Sequence, residues 1–103
     1  MSQLVENISD TARWVAIFRA EESERPDAVF HDPFARRLAG EKGVQIADAI
    51  EFSRKNNWTF IARTYLFDEV VMQHVELGYD MIINLAAGLD ARAYRMQLPK
   101  NLK

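Results

Sequence analysis

One strand-like run, in a chain otherwise patterned for helix, limits most what this sequence can fold into. Residues 81–86, with Met81, Ile82, Ile83 and Leu85, are apolar on both faces, the pattern of a central parallel strand covered on two sides. A strand of that kind needs neighbours at both edges, and nothing else in the sequence supplies one convincingly. The expectation is therefore the front part of a larger α/β fold, or a strand whose partners come from other copies of the chain. Behind the run, Ala86, Ala87 and Gly88 make a turn with almost no side-chain bulk, a backbone that a ligand can approach closely. The segment NLAAGLDARAYR, 84–95, then leads into a helix. A dinucleotide-binding pattern has three glycines where this turn has one, so a plain strand-to-helix connection fits the turn equally well.

Helical punctuation fills residues 1–79. Ser9 or Asp10 can cap a helix reaching about Glu24, with Trp14, Val15, Ile17 and Phe18 on its apolar side and Pro26 as its stop. In HDPFARRLAG, Asp32 suits the N-cap, Pro33 the first helical position and Gly40 the residue past the end. A third helix is expected from Gly43 to about Phe52, burying Val44, Ile46, Ala47 and Ile50, before the polar break Ser53, Arg54, Lys55, Asn56. The longest helix should start from Asn57, run to Leu77 and end at Gly78.

Composition narrows the classes of partner. At 103 residues with 49% hydrophobic and 27% charged residues, the chain fits one small, ordinary globular domain. Thirteen basic against 15 acidic residues, a net charge of −2, gives no electrostatic footprint for nucleic acid or an anionic membrane. No cysteine is present, which excludes disulfides and thiolate metal sites and fits a reducing compartment. The start MSQLVENISD lacks the basic and apolar stretches of a signal peptide, and no apolar run nears the roughly 20 residues of a membrane span. The reading is a cytoplasmic protein with small-molecule or protein partners.

Within the long helix Arg63 stands out. Thr59, Phe60, Leu66 and Phe67, three and four residues away, surround it with a mostly apolar surface. A guanidinium there is costly to desolvate unless an anion accepts its hydrogen bonds. That anion is either Asp68, Glu69 or another carboxylate of the chain, or the carboxylate or phosphate of a ligand; a side chain snorkelling to water also fits. Other candidates read more simply. His31 suits a helix entrance at the surface, His74 shares the polar stripe of Thr59 and Arg63, and two histidines without carboxylates make no metal site. Asp68 and Glu69 are adjacent and diverge by about 100 degrees on a helix, unlike a paired-carboxylate catalytic site. Arg36 and Arg37 read as a solvated face, and Trp14 and Trp58 as core or interface.

Three segments together resemble a known family. RPDAVFHDPFARRLAG (25–40), IARTYLFDEVV (61–71) and NLAAGLDARAYR (84–95), in that order and spacing, are similar to the N-terminal part of S-adenosylmethionine-dependent O-methyltransferases of the leucine carboxyl methyltransferase-like family, in its bacterial branch. The resemblance covers most of the chain from about Thr11 onward. It implies an α/β fold: a helical cap over 1–79, then in 80–103 the first strand, turn and helix of a Rossmann-like cofactor domain, truncated and mostly helical in this chain. It implies S-adenosylmethionine as cofactor, with Arg63, of the family's RT pair, binding the methionine carboxylate. Gly88 would lie beside the cofactor, with Ala86 and Ala87 lining the same turn, and Asp90 would either cap the next helix or order the turn. The family commonly has GAGLDTR here, whereas this chain has Ala86 and Ala91 in place of the first glycine and the threonine.

Family members are considerably longer, and their ribose-binding acid lies on a second strand beyond Lys103; in general such an acid follows the glycine turn by about 20 residues. No residue after Asp90 is acidic. The expectation is thus the N-terminal part of a methyltransferase acting on a carboxylate or hydroxyl of an unknown acceptor, inactive alone, with catalytic residues unassigned and no metal. The unpaired strand predicts a homo-oligomer, a dimer by strand or helix exchange. Two rivals remain: a stand-alone helical oligomerisation or interaction module without catalysis, and assembly with a separately encoded C-terminal half.

Overall fold

The computed structural model describes residues 5–103; the first four residues of the helical segment 1–79, and that part of the start read as free of a signal peptide, lie outside the described residues. Among the described residues five helices follow one another: α1 (Ile8–Ser23), α2 (Ala35–Ala49), α3 (Glu51–Lys55), α4 (Trp58–Glu76) and α5 (Arg92–Arg95). Helix α1 is capped by Asn7, not by Ser9 or Asp10: the Asn7 side chain accepts the Asp10 backbone N–H at 2.9 Å. Asp10 instead sits in the first turn, where its carboxylate accepts the Glu6 N–H at 3.0 Å and complements the helix dipole. The helix ends at Ser23, before Pro26, as its sequence requires.

Asp32, expected as the N-cap with Pro33 as the first helical residue, lies instead two residues before the actual cap, Phe34, which has no side-chain cap hydrogen bond. The Asp32 Oδ1 accepts the Phe34 N–H at 3.0 Å, Pro33 and Phe34 form a turn, and α2 begins at Ala35. Gly40, at φ 61° and ψ −170°, breaks the helix where the sequence placed its end, and a second helical stretch resumes at once. That stretch stops at Ala49, and the expected polar break at 53–56 is largely helical as α3. The reason is Arg54, whose guanidinium holds Glu21 of α1 at 2.9 Å and Asp48 of α2 at 2.5 Å, fixing this short turn to both helices.

The core lies between α1 and α2. Ala16, Ile17, Phe18 and Ala20 pack on Ala35, Ala39 and Ala47, and small side chains on both sides let the backbones come close. At Gly43 a Cβ would stand 2.7 Å from the Arg13 carbonyl oxygen, so only glycine fits this crossing. Helix α4, bounded as expected by Asn57 and by Gly78 at φ 97°, joins the core through Phe60, stacked on Phe18 at 5.7 Å, and through Ile61. Trp14 packs beside Phe18, while Trp58 is exposed. Much of the rest of the apolar surface of α4 is open, including Leu66, Phe67 and Val70.

The strand expected over 81–86 does not form. No strand occurs among the described residues, and Ile83 and Leu85 are 74% and 82% exposed rather than buried. The physical reason is that a central strand takes both its burial and its hydrogen bonds from flanking strands, and none is present to supply them. One trace of pairing exists. The Lys103 N–H donates to the Asp80 carbonyl at 2.9 Å and the Ile82 N–H donates to the Lys103 carbonyl at 2.8 Å, the slanted pattern of a single parallel bridge around Met81.

Candidate functional site

A cleft of about 520 Å³ opens between α1, α4 and the turn that follows residue 84. Its size falls within the range of small-molecule sites, about 300–1,000 Å³. Ala12 and Val15 of α1 and Phe60 and Phe67 of α4 form apolar walls, and all five residues singled out by sequence line it: Arg63, Ala86, Ala87, Gly88 and Asp90. Residues separated by more than twenty positions thus share one cavity because the face of α4 that carries Phe60, Arg63, Thr64 and Phe67 lies beside the turn.

Arg63 is exposed at the cleft and, among the described residues, forms no ion pair. Its guanidinium lies 6.0 Å from the centre of the Phe67 ring. The carboxylate nearest in sequence, Asp68, is taken by Arg92 and Arg95, each at 2.7 Å. Of the three readings open to Arg63, an internal salt bridge is not made among the described residues; its exposure fits both a side chain reaching water and one with donors available to a ligand.

The turn is tightly shaped. Ala86 has φ 52° and Gly88 φ 58°, both left-handed, and the Asp90 N–H donates to the Ala87 carbonyl at 3.0 Å. For Ala86 that conformation costs roughly 1–2 kcal/mol, which glycine would avoid. A Cβ at Gly88 would meet only the Ala12 methyl at 3.7 Å, so this face of the backbone is accessible from the cleft. Among the described residues the N–H groups of 86–89 donate to no protein acceptor, leaving a row of backbone donors at the cavity wall.

Asp90 lies one residue before the cap of α5, Ala91, which has no side-chain cap hydrogen bond, and its contacts are those of a residue that orders the turn. One carboxylate oxygen accepts the Arg92 backbone N–H at 2.8 Å, and the other accepts the Asn84 side-chain amide at 3.0 Å, closing the turn on itself. Burial pushes its carboxyl up, but the Arg92 backbone N–H, the Asn84 amide and the Arg92 guanidinium outweigh burial and hold it below the usual carboxylate range.

Sequence reasoning missed the group behind the turn. Asp32, whose side chain is fully buried, accepts Arg19 Nε at 3.2 Å, and Arg19 Nη2 donates to the Leu89 carbonyl at 2.7 Å. Arg92 bridges Asp90, at 2.5 Å, and Asp68, while Arg95, only 6% exposed, stands between Asp68 and Asp32, its Nε 3.9 Å from the latter. The available signal was the spacing of Asp90, Arg92 and Arg95 in DARAYR, which puts two arginines beside one aspartate at a helix start. The histidines take no part: His31 is exposed, and His74 Nδ1 lies 2.7 Å from the Val70 carbonyl beside Tyr79. Arg36 is paired with Glu24 at the surface. No described helix is long and apolar enough to cross a membrane.

Comparison with known proteins bears on this cleft. The model of the family described as leucine carboxyl methyltransferase matches residues 12–103. The chain is 37% identical to a protein of Rhodococcus jostii over 93% of its own length, and 36% identical to one of Mycobacteroides abscessus over the same share. To a protein of Streptomyces coelicolor it is 33% identical over 90% of its length. All three carry the name "Putative S-adenosyl-L-methionine-dependent methyltransferase". The matches cover 35%, 34% and 36% of those proteins, so the chain spans about a third of the curated relatives it matches. No solved structure matches it.

Proposed function

Because the chain belongs to the leucine carboxyl methyltransferase family, we propose that its cleft holds the methionine end of S-adenosylmethionine, as one part of a methyltransferase. The observation that carries this reading is Arg63: a guanidinium with no carboxylate partner among the described residues, on the same cavity as a turn with free backbone donors. Arg63 pairs with the methionine carboxylate, the turn at Ala86, Ala87 and Gly88 lies against the ligand, and Asp90 keeps the turn in shape. The cofactor, when bound, supplies a methyl group on a positively charged sulfur, ready to pass to a carboxylate or hydroxyl oxygen of an acceptor. The protein's part is alignment and exclusion of water, since transfer from such a donor needs little proton chemistry.

In this reading residues 80–103 are the first strand, turn and helix of a Rossmann-like domain and 1–79 its helical cap. The parallel bridge joining Asp80 and Ile82 to Lys103, with α5 between, supports it, because parallel neighbours require a crossover of this kind. The chain alone presents half of a cofactor site, does not transfer methyl groups, and works in the cytoplasm. The exposed apolar residues Leu66, Val70, Ile83 and Leu85 favour a second reading, a helical module that associates with copies of itself. Calorimetry with S-adenosylmethionine separates the two. Arg63→Ala is expected to weaken binding by about 1.5–3 kcal/mol, the scale of a charged hydrogen bond. Equal affinity of the variant and the parent would sink the assignment.

A further inference from the structure

Six charged side chains close into a ring behind the cleft. Following hydrogen bonds and ion pairs, Asp32 leads to Arg19, Arg19 to the Leu89 carbonyl, and the turn to Asp90. Asp90 leads to Arg92, Arg92 to Asp68, Asp68 to Arg95, and Arg95 back to Asp32. Three carboxylates and three guanidiniums balance to zero charge, and none of the six side chains is more than 22% exposed. Members come from α1, from the turn before α2, from α4, from the cofactor-facing turn and from α5. Desolvating so many charges is expensive, and a hydrophobic cluster of like volume would hold the helices at least as well. What the ring provides that apolar packing does not is direction: Arg19 and Arg92 grip the turn at Leu89 and Asp90, from either side of the step into α5.

We propose that Asp32 and Arg19 are positioning residues for the methyl donor, the ring transmitting the placement of the helical cap to the turn that faces the cofactor. The inference rests on the cofactor reading above. Asp32 holds Arg19 at Nε, so that Nη2 of the same rigid guanidinium meets the Leu89 carbonyl. A lysine keeps the charge of Arg19 but cannot span both acceptors in that fixed fork. The carboxamide introduced by Asp32→Asn can still accept the Phe34 N–H, so the turn before α2 is retained while the charge is lost.

The test compares the parent chain with Arg19→Lys and Asp32→Asn by residue-resolved amide hydrogen exchange and by titration with S-adenosylmethionine. In both variants the Asp90 and Arg92 amides, which bond to the Ala87 carbonyl and the Asp90 carboxylate, should exchange at least about tenfold faster. Amides of Ile17 and Phe18 in α1 should change less than about twofold. Affinity for S-adenosylmethionine should fall by about tenfold in the same samples, with Arg19→Lys keeping the parent's helical content. Uniform acceleration throughout the chain, or an unaltered turn, would overturn the inference, and so would a loosened turn that binds the donor as tightly as the parent. A parent chain that binds no donor defeats the cofactor reading itself, while the exchange rates still decide whether the ring governs the turn.

Discussion

The pair α1–α2 and the stretch from α4 through residue 85 are both rich in apolar residues, yet they end in opposite states. In the first, Ala16, Ile17, Phe18, Ala35 and Ala39 are wholly or almost wholly buried, and Gly43 marks a crossing too tight for any side chain. In the second, Leu66, Val70, Ile83 and Leu85 lie open. Composition does not separate them; topology does. Two helices joined by the connection 24–34 cover one another's apolar stripes from within a hundred residues, whereas a segment with the apolar pattern of a central strand is covered only when other strands lie beside it.

The largest effect is expected from hollowing out the closed half. Phe18→Ala removes a ring stacked on Phe60 and packed beside Trp14, and should cost about 3–5 kcal/mol in urea unfolding. A loss under about 1 kcal/mol would mean that the α1–α2 core is not what holds the chain together. Ala86→Gly comes next. It relieves a left-handed alanine and should stabilise by about 1 kcal/mol or less, the conformational gain being offset in part by the freer unfolded chain. The smallest effect is expected on the open half: Leu85→Ser should leave unfolding within about 0.5 kcal/mol of the parent. Should Leu85→Ser unfold the chain, residue 85 is covered after all and the contrast fails.

What could be read from sequence divides along the same line. Local chemistry carried well: Pro26, Gly40 and Gly78 stop helices where their φ requirements say they should. Where a rival residue offered the same chemistry the choice slipped, as with Asn7 capping in place of Ser9 or Asp10. The motif at 84–95 and Arg63 meet in one cleft, and both were legible because helical phase and a small-residue turn are local properties. The strand failed because its pattern describes an environment that other strands must create. The charge ring stayed hidden for a related reason: Asp32 looked like a helix cap, but it shapes the turn before α2 and its second oxygen faces Arg19, and such a pairing depends on how helices cross.

The ring and the turn also account for how an open half keeps a shaped site. Around Asp90 the backbone is fixed by polar contacts to Asn84, Arg92 and, through Leu89, Arg19, rather than by burial. A cavity wall can therefore be ordered beside a surface that is still uncovered.

In the proposed function, Arg63 and the turn at 86–90 form two sides of one site for the methionine end of S-adenosylmethionine. The most direct test of that site is a nuclear magnetic resonance titration of the labelled chain with S-adenosylmethionine, reading the amides of 86–90 and the Arg63 guanidinium. Saturable shifts are expected at both places with one dissociation constant, on the order of millimolar, or about −4 kcal/mol, for a half-site. Shifts confined to one of the two places, or absent from both, would contradict the proposed function.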